Sequence, residues 1–537
     1  MPTLTITAEA GEHRISFDPG KSLRHILDVT NYRVRCGCRE IGACGLCRVR
    51  ILAGEAGEPT PNEVLLLGAV LLAEGVRLAC QIKPLYDLNI VILAPASKSV
   101  WRPLNCEDVW LKEPLPTGLL PDLPPEVNTP YGVAVDFGTT HINLSLFDLT
   151  TASWLSGSHG LNPQTAIGAD VMTRLVAAAE SPEQMQDLRR LAIEAIGGGL
   201  TDLALRDGID LQQVVRLTLV GNTAMLALLS GRNSSLLLQP SQWMNSIDCL
   251  PLDTGQWVSE WGINSQAKIK VLPPLAGFVG SDLLSGVVAT NLTERVAGSV
   301  LIDFGTNTEI ALWDGINLWV TSAAGGPAFE GSGVRHGLPA EPGAICGITM
   351  KDGVPHCTVI GGGEPLGLCG TGLVDLIAEL VRAGIITEKG QFAPTVPPEG
   401  FVLTRGSRDI VLSKGDVDLF QRAKAAIGVG VQVLLEQAGM GYEGLQRICV
   451  SGAFGTALDI INAQEIGLVP KIPPDRVELC GNTALTGCER ALFSTDVVDQ
   501  LEYLSLQARI VNLAHYPEFY TLFLEHLFLR PCVEVVK

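Results

Sequence analysis

One short pattern occurs twice in this chain, 167 residues apart by its aspartates (Asp136 and Asp303). Val133-Ala134-Val135-Asp136-Phe137-Gly138-Thr139-Thr140 and Val300-Leu301-Ile302-Asp303-Phe304-Gly305-Thr306-Asn307 are apolar runs ending in Asp-Phe-Gly-Thr. Apolar residues then alternate, at Ile142, Leu144 and Leu146 before a turn near Asp148, and at Ile310 and Leu312 before a turn near Asp314-Gly315. Alternation with period two is the signature of a strand, so each copy reads as strand, tight turn and returning strand. A second strand ends in a glycine turn later in each half: Leu217-Thr218-Leu219-Val220-Gly221-Asn222-Thr223 and Ile448-Cys449-Val450-Ser451-Gly452-Ala453-Phe454-Gly455. A repeat on this scale predicts two similar α/β halves, about 131–297 and 298–537, facing each other across a cleft with pseudo-twofold symmetry.

These hairpins resemble those of the superfamily of actin, the heat-shock chaperones and the sugar kinases, where two such turns grip the phosphates of ATP. Glycine at a turn apex lets backbone N–H groups approach phosphate oxygens, and threonine hydroxyls add donors. The resemblance makes Gly138, Thr139, Thr140, Gly305, Thr306 and Asn307 the phosphate loops. It makes Asp136 and Asp303 the acidic pair that holds Mg²⁺ through water or orients the attacking water. Ser451, Gly452, Ala453, Phe454 and Gly455 fall where the superfamily seats adenosine. Gly370, Thr371 and Gly372 open an amphipathic helix that ends near Gly384, and a helix N-terminus favours anions. That turn reads equally as phosphate or ribose contact and as plain helix entry. Gly481-Asn482-Thr483-Ala484 echoes Gly221-Asn222-Thr223-Ala224 and is expected at the hinge between halves.

Ahead of the repeat stands Cys38-Arg39-Glu40-Ile41-Gly42-Ala43-Cys44-Gly45-Leu46-Cys47, with Cys80 following. The chain has 14 cysteines, but it is large and opens on an alternating strand rather than a secretory leader, so they read as reduced and the clustered ones as metal ligands. Around them the order is strand (Leu4, Ile6), a Gly11-Glu12 turn, strand (Ile15, Phe17), a short helix capped by Ser22, the cysteine loop, strand 48–52, helix 61–73, Cys80 and strand 88–93. This resembles a plant-type ferredoxin, a β-grasp fold holding a [2Fe-2S] cluster. The C-x5-C-x2-C spacing is one residue longer in its first gap than the plant form and is the spacing of adrenodoxin-like members. Cys38, Cys44, Cys47 and Cys80 are the implied ligands, with Cys36 the alternative to Cys38.

Between the cysteine domain (1–95) and the repeat (131–537), prolines recur at 95, 103, 114, 116, 121, 124, 125 and 130. Proline removes donors and stiffens the chain, so 96–130 reads as an extended linker, with Trp101 and Trp110 docking it lightly. A net charge of −19 disfavours nucleic acid and anionic membranes. The longest apolar run, Val64 to Leu72, is shorter than the roughly 20 residues that span a bilayer. A cytoplasmic location is expected.

Three further stretches complete a set: Asn162-Pro163-Gln164 with Gly168-Ala169-Asp170-Val171, Gly277-Phe278-Val279-Gly280-Ser281-Asp282, and Ala323-Ala324-Gly325-Gly326-Pro327-Ala328-Phe329-Glu330-Gly331. With the ferredoxin-like domain they resemble the reductive activators of corrinoid-dependent methyltransferases. The resemblance implies an α/β multidomain enzyme that uses ATP to pass one electron from its cluster to the Co(II) corrinoid of a partner protein, restoring Co(I). It also implies an external low-potential electron donor, and it leaves room for a homodimer. Two departures stand out: no extra small domain follows the linker, and Cys480, Cys488 and Cys532 are too scattered for a C-terminal cluster. No Asp-x-His-x-x-Gly cobalamin signature is present, so the corrinoid belongs to the partner. The competing readings are an activator of another low-potential enzyme, a chaperone-like or regulatory ATPase, and a small-molecule kinase.

Overall fold

The computed structural model describes residues 2–8, 11–28, 30, 32, 34, 42, 44–95, 101–104, 127, 129–331, 333–351, 353–406 and 409–532. Packing divides the chain into two units. One joins 1–101 to 139–141 and 160–195, and the other comprises 102–138, 142–159 and 196–537.

The first unit begins with β1 (Thr3–Ala8), β2 (Gly11–Ser16), α1 (Leu23–Asp28), β3 (Arg48–Ala53), α2 (Pro61–Ala73), β4 (Val76–Leu78) and β5 (Leu88–Ile92). The five strands form one sheet in the order β2-β1-β5-β3-β4. Leu4, Ile6, Val49 and Ile90 bury one face of it with Leu23, Ile26 and Leu27 of α1. The Ser22 hydroxyl accepts from the His25 N–H at 3.0 Å and caps α1. Thr60 and Glu63 cap α2 reciprocally, with Pro61 at its first position. Two details differ from the sequence reading. Gly11 and Glu12 lie on β2, paired with Ala8 and Thr7, rather than in a turn. The three-residue strand β4 was not anticipated, because Val76-Arg77-Leu78 is too short to show a period.

After β6 (Arg102–Pro103), the repeat begins with β7 (Tyr131–Phe137), β8 (His141–Asp148), β9 (Ser153–Leu161), α3 (Val171–Glu180), α4 (Pro182–Asp207), β10 (Val214–Gly221), α5 (Thr223–Ser230), α6 (Gly255–Trp261), β11 (Lys268–Val271) and α7 (Ser281–Ala289). It continues with β12 (Ser299–Phe304), β13 (Thr308–Trp313), β14 (Leu318–Ala323), β15 (Ala344–Lys351), β16 (Val354–Val359), β17 (Gly367–Leu368), α8 (Gly370–Arg382), β18 (Phe401–Thr404), β19 (Ile410–Leu412) and α9 (Lys414–Gln437). The last elements are β20 (Arg447–Gly452), α10 (Ile460–Glu465), β21 (Val477–Leu479), α11 (Thr483–Phe493), α12 (Thr495–Gln507), β22 (Arg509–Ile510) and α13 (Phe519–His526).

Two sheets carry the duplication, ordered β11-β10-β7-β8-β9-β6 and β21-β20-β12-β13-β14-β22. In both, the strand of the Asp-Phe-Gly-Thr motif runs parallel to the later glycine-turn strand and antiparallel to its own returning strand. The outermost strand breaks the symmetry: β6 is antiparallel to β9, whereas β22 is parallel to β14.

β6 is a paired extended segment within the stretch read as an extended linker. Arg102 and Pro103 pair with His159 and Ser158, and Leu104 N–H donates to the Gly157 carbonyl at 3.0 Å. An edge strand tolerates proline because its outer side needs no donor. Trp101 is seated against Gly160, where an added Cβ would lie 2.9 Å from its ring; Trp110 lies outside the described residues.

The halves meet where α7 crosses α11. Gly487 sits so close that a Cβ there would lie 2.1 Å from the Ser285 carbonyl oxygen, and one on Gly286 would lie 2.9 Å from the Thr483 hydroxyl. The same contact contributes Leu283, Leu284, Val287, Ala484, Leu485 and Cys488 to one buried cluster. Forcing a methyl into such a contact costs about 1–3 kcal/mol. Gly487→Ala is therefore expected to lower the thermal midpoint by several degrees while Gly439→Ala, in open space, tests the separate effect of a positive φ; an unchanged midpoint for Gly487→Ala would show that the crossing is loose.

Candidate functional site

Both motif strands deliver an aspartate to the end of their sheet. Asp136 is buried and accepts from Asn143 Nδ2 at 3.0 Å and from Asn482 Nδ2 at 2.7 Å. Asn482 also caps α11 through the Leu485 N–H at 2.9 Å, as Asn222 caps α5 through the Met225 N–H at 3.0 Å. The echoed Gly-Asn-Thr-Ala segments are thus matched helix caps, and the second reaches across to the first half's aspartate. Asp303 lies opposite Ser451 on the neighbouring strand. Burial, reinforced by the charge of Asp136, raises Asp303 to about 6.

Two more carboxylates share this place. Asp282, in the first turn of α7, is pushed up to about 7 by burial and then by the charges of Asp136 and Asp303. Glu309, on β13, is held well above the usual carboxylate range by burial, Asp282 and Asp303. Its carboxylate accepts from the Gly280 N–H at 3.5 Å. Four acids gathered in a low-dielectric setting repel each other and hold protons that a cation would displace. An all-oxygen donor set of this kind fits Mg²⁺.

The 451–455 loop is stitched around Asp303. Gly452 has φ +73°, and a Cβ there would lie 2.5 Å from Asp303 Oδ1 and 2.3 Å from the Phe304 carbonyl. Ala453 N–H donates to Phe304 O at 2.7 Å, and Gly481 N–H to Gly455 O at 2.9 Å. The Phe454 ring is fully buried against Phe304 and Phe329, at 5.0 and 5.2 Å between centroids. The Gly370 turn is also accounted for by packing. A Cβ on Gly370 would lie 2.1 Å from Phe329 O and one on Gly372 2.2 Å from Ile345 O, while Thr371 donates to Cys346 O at 2.8 Å.

Thr306 Oγ1 donates to Glu330 Oε2 at 2.8 Å, which gives the Gly325–Gly331 segment a place beside the second hairpin. Gly138, Gly305 and Asn307 are partly exposed at the hairpin tips, as is Thr140, whereas Thr139 is buried. A Cβ on Gly305 would meet only Asn307 O, at 3.1 Å.

In the first unit, Cys44 is half-buried and Cys47 and Cys80 are buried, none of them disulfide-bonded. Cys36 and Cys38 lie outside the described residues. Gly42 and Gly45 adopt left-handed φ of +77° and +64°, and a Cβ on Gly42 would lie 2.7 Å from the Gln81 side chain. Such a glycine-formed cradle bearing thiols suits an iron–sulfur cluster. Ala79 N–H donates to Cys47 O at 2.8 Å, tying two of the implied ligand segments together, and Gln81 Nε2 approaches Cys80 Sγ at 3.5 Å. Behind them, buried Glu63 accepts from Arg77 Nε at 2.8 Å and from the Leu78 N–H at 2.9 Å. Burial would raise Glu63, but its bonds from Arg77, Thr60 and Leu78 outweigh this and hold it below the ordinary value.

The C-terminal cysteines are dispersed. Cys532 Sγ meets Gly467 O at 3.4 Å and Cys488 Sγ meets Thr218 O at 3.2 Å. Cys480 instead approaches Cys449 and Glu478, but that carboxylate is taken by Arg447 at 2.9 and 3.1 Å.

Asp282 and Glu330 lie within motifs of the sequence that carry no assigned role there, and Glu309 and Asn143 lie outside every expected site. An acid at Glu309, between Thr308 and Ile310 on a buried strand, was the available signal.

Three family models match the chain: a 2Fe-2S iron–sulfur cluster binding domain over 6–85, the RACo middle region over 131–295, and the C-terminal domain of RACo, the ASKHA domain, over 297–534. Corrinoid activation enzyme RamQ of Eubacterium limosum is 32% identical over 413 residues, covering 72% of this chain and 68% of that protein. The [Co(II) methylated amine-specific corrinoid protein] reductase of Methanosarcina barkeri is 28% identical over 384 residues, covering 66% and 68%. A solved structure of a reductive activator for corrinoid,iron-sulfur protein superposes over 99% of both chains, with a TM-score of 0.66 and 25% identity.

The acid cluster has a pH signature. Asp282 and Asp303 titrate near 7 and 6 when folded, against an ordinary 3.8. Over that interval the native state binds more protons than the unfolded chain, so stability falls as pH rises from about 4 and levels off above about 7. The melting temperature measured without divalent cation should follow this fall, and Asp282→Asn should remove part of it. A fall of the same size in the variant would place Asp282 outside the coupled cluster.

Proposed function

The chain belongs to the family of corrinoid activation enzymes, and on that footing we propose how its parts divide an ATP-dependent reduction. Residues 1–95 form the cluster domain, 96–130 the linker and 131–537 the ATPase, in halves 131–297 and 298–537; the family-model boundary between 295 and 297 supports that division. The reaction is ATP + H₂O + one electron + Co(II)-corrinoid protein giving ADP + phosphate + Co(I)-corrinoid protein. The electron comes first from an external low-potential donor. The setting is the cytoplasm, and a homodimer is compatible with it; among the described residues no helix is long and apolar enough to cross a membrane.

The thiolates of Cys38, Cys44, Cys47 and Cys80 hold the [2Fe-2S] cluster, with Cys36 the alternative to Cys38. When bound, such a cluster stores one electron near roughly −400 mV. Delivery to Co(II) runs uphill, and each ~59 mV costs a factor of ten in a one-electron equilibrium. ATP can supply the difference only by favouring one of two conformations of the protein.

Asp136, Asp303, Asp282 and Glu309 hold Mg²⁺, directly or through water, and one of the aspartates orients the attacking water. Backbone N–H groups and hydroxyls at Gly138, Thr139, Thr140, Gly305, Thr306 and Asn307 bind phosphate oxygens. Ser451 and the backbone at Gly452, Ala453, Phe454 and Gly455 border adenosine. Gly370, Thr371 and Gly372 offer only the backbone at the start of α8.

The observation that carries the reading is the four-carboxylate site between two like hairpins in a chain that also carries the thiol-bearing cradle. Anaerobically reconstituted protein, mixed with a Co(II)-corrinoid protein, a low-potential reductant and Mg-ATP, should develop the Co(I) absorption band. Asp303→Asn should slow this roughly a hundredfold, on the scale of losing one transition-state electrostatic contact, with cluster absorbance intact. Cys44→Ser and Cys47→Ser should lose iron and sulfide. Co(I) formation that ignores ATP would overturn the proposal.

A further inference from the structure

The Asn162-Pro163-Gln164 and Gly168–Asp170 stretches have no place in phosphate or cluster binding, yet they are built with unusual care. Asn162 and Gln164 are fully buried, as is Arg174 on α3. Asn162 Oδ1 accepts from the Gln164 N–H at 3.0 Å and so caps the single helical turn Pro163–Ala166. Gln164 Nε2 donates to Leu188 O at 2.8 Å, and Arg174 Nε to Gly168 O at 2.8 Å. Asp170 caps α3 through the Thr173 N–H at 2.8 Å. Hydrogen bonds among buried polar groups of this kind hold in place the segment that carries them.

The ridge touches both functional parts of its unit. On one side the Asn162 N–H donates to Thr140 O, in the first phosphate hairpin, at 2.8 Å. On the other, Arg24 Nη2 donates to Ala166 O at 2.6 Å. Arg24 belongs to α1 and is 5% exposed. The adjacent Leu23 N–H donates to Ile82 O at 2.8 Å, two residues beyond Cys80. A short bonded path thus runs from Thr140 through Asn162, Ala166 and Arg24 to the segment of a cluster ligand.

We propose that Arg24 and the Asn162–Ala166 ridge are positioning elements that make the placement of the cluster domain depend on the nucleotide. Nucleotide on the first hairpin shifts Thr140, the rigid ridge moves with it, and the Arg24–Ala166 contact passes the shift to α1. A rigid ridge joined to the cluster domain through a side-chain bond to a carbonyl makes a contact that can open and close. This inference rests on the proposed ATP-dependent reduction.

The test is amide hydrogen exchange on the full, cluster-loaded chain with and without Mg-ATP, for the native protein, Arg24→Ala and Arg24→Lys. In the native protein, exchange should change in both 162–168 and 22–28. In Arg24→Ala the response at 162–168 should persist and that at 22–28 should vanish. Arg24→Lys, which keeps a donor, should recover part of it, and unchanged cluster absorbance confirms folding. ATP hydrolysis by Arg24→Ala should stay within about twofold of native, while ATP-dependent Co(I) formation drops at least tenfold. An equal response at 22–28 in Arg24→Ala, or none at 162–168 in the native protein, would overturn the proposal. Failure of the wider reading shows differently, as native protein that makes no Co(I) whatever the exchange pattern.

Discussion

Four carboxylates brought out of water into one place govern this architecture. Burial disfavours their charged forms and mutual repulsion adds to it, which is why Asp282 sits near 7 and Asp303 near 6. No single strand or helix could gather them. Asp136 and Asp303 come from two duplicated strands, Asp282 from the helix between those strands, and Glu309 from a returning strand. The duplication places equivalent strand ends together, and Asn482 secures Asp136 from the opposite half. The proposed Mg²⁺ would offset the repulsion that the protein leaves unbalanced.

The cluster domain solves a different problem with a similar economy of parts. Its thiols lie on segments that small motifs bind together, through the Ala79–Cys47 bond and the buried Glu63–Arg77 pair. Breaking a buried pair by removing one partner costs far more than the pair contributes. Glu63 also accepts from the Thr60 N–H, so the start of α2 and the strand β4, which ends two residues before Cys80, share one carboxylate.

Much of this was legible in the sequence because it is local. The Asp-Phe-Gly-Thr hairpins, the cap at Ser22, the helix 61–73 and the cysteine spacing each need only a few consecutive residues. What escaped depends on contacts between distant segments. Nothing near Asp282 in the chain shows that Asp136 and Asp303 converge on it. That the ring of Phe454 packs in the core between Phe304 and Phe329 is likewise a contact between distant segments. The Gly370 turn is ambiguous in sequence, since a glycine needed for close packing is spelled like one needed for phosphate. Arg102-Pro103 falls in the proline-rich stretch read as an extended linker, and its pairing with β9 is visible only in three dimensions.

The crossing of α7 over α11 carries a mechanical implication. Backbone rests on backbone there, with glycines where side chains would otherwise interlock. Rotation about such a fulcrum requires few rotamer changes, and displacement grows with distance from it. Modest angular play between the halves would therefore leave this junction nearly still and be felt most at the far rims of the two sheets.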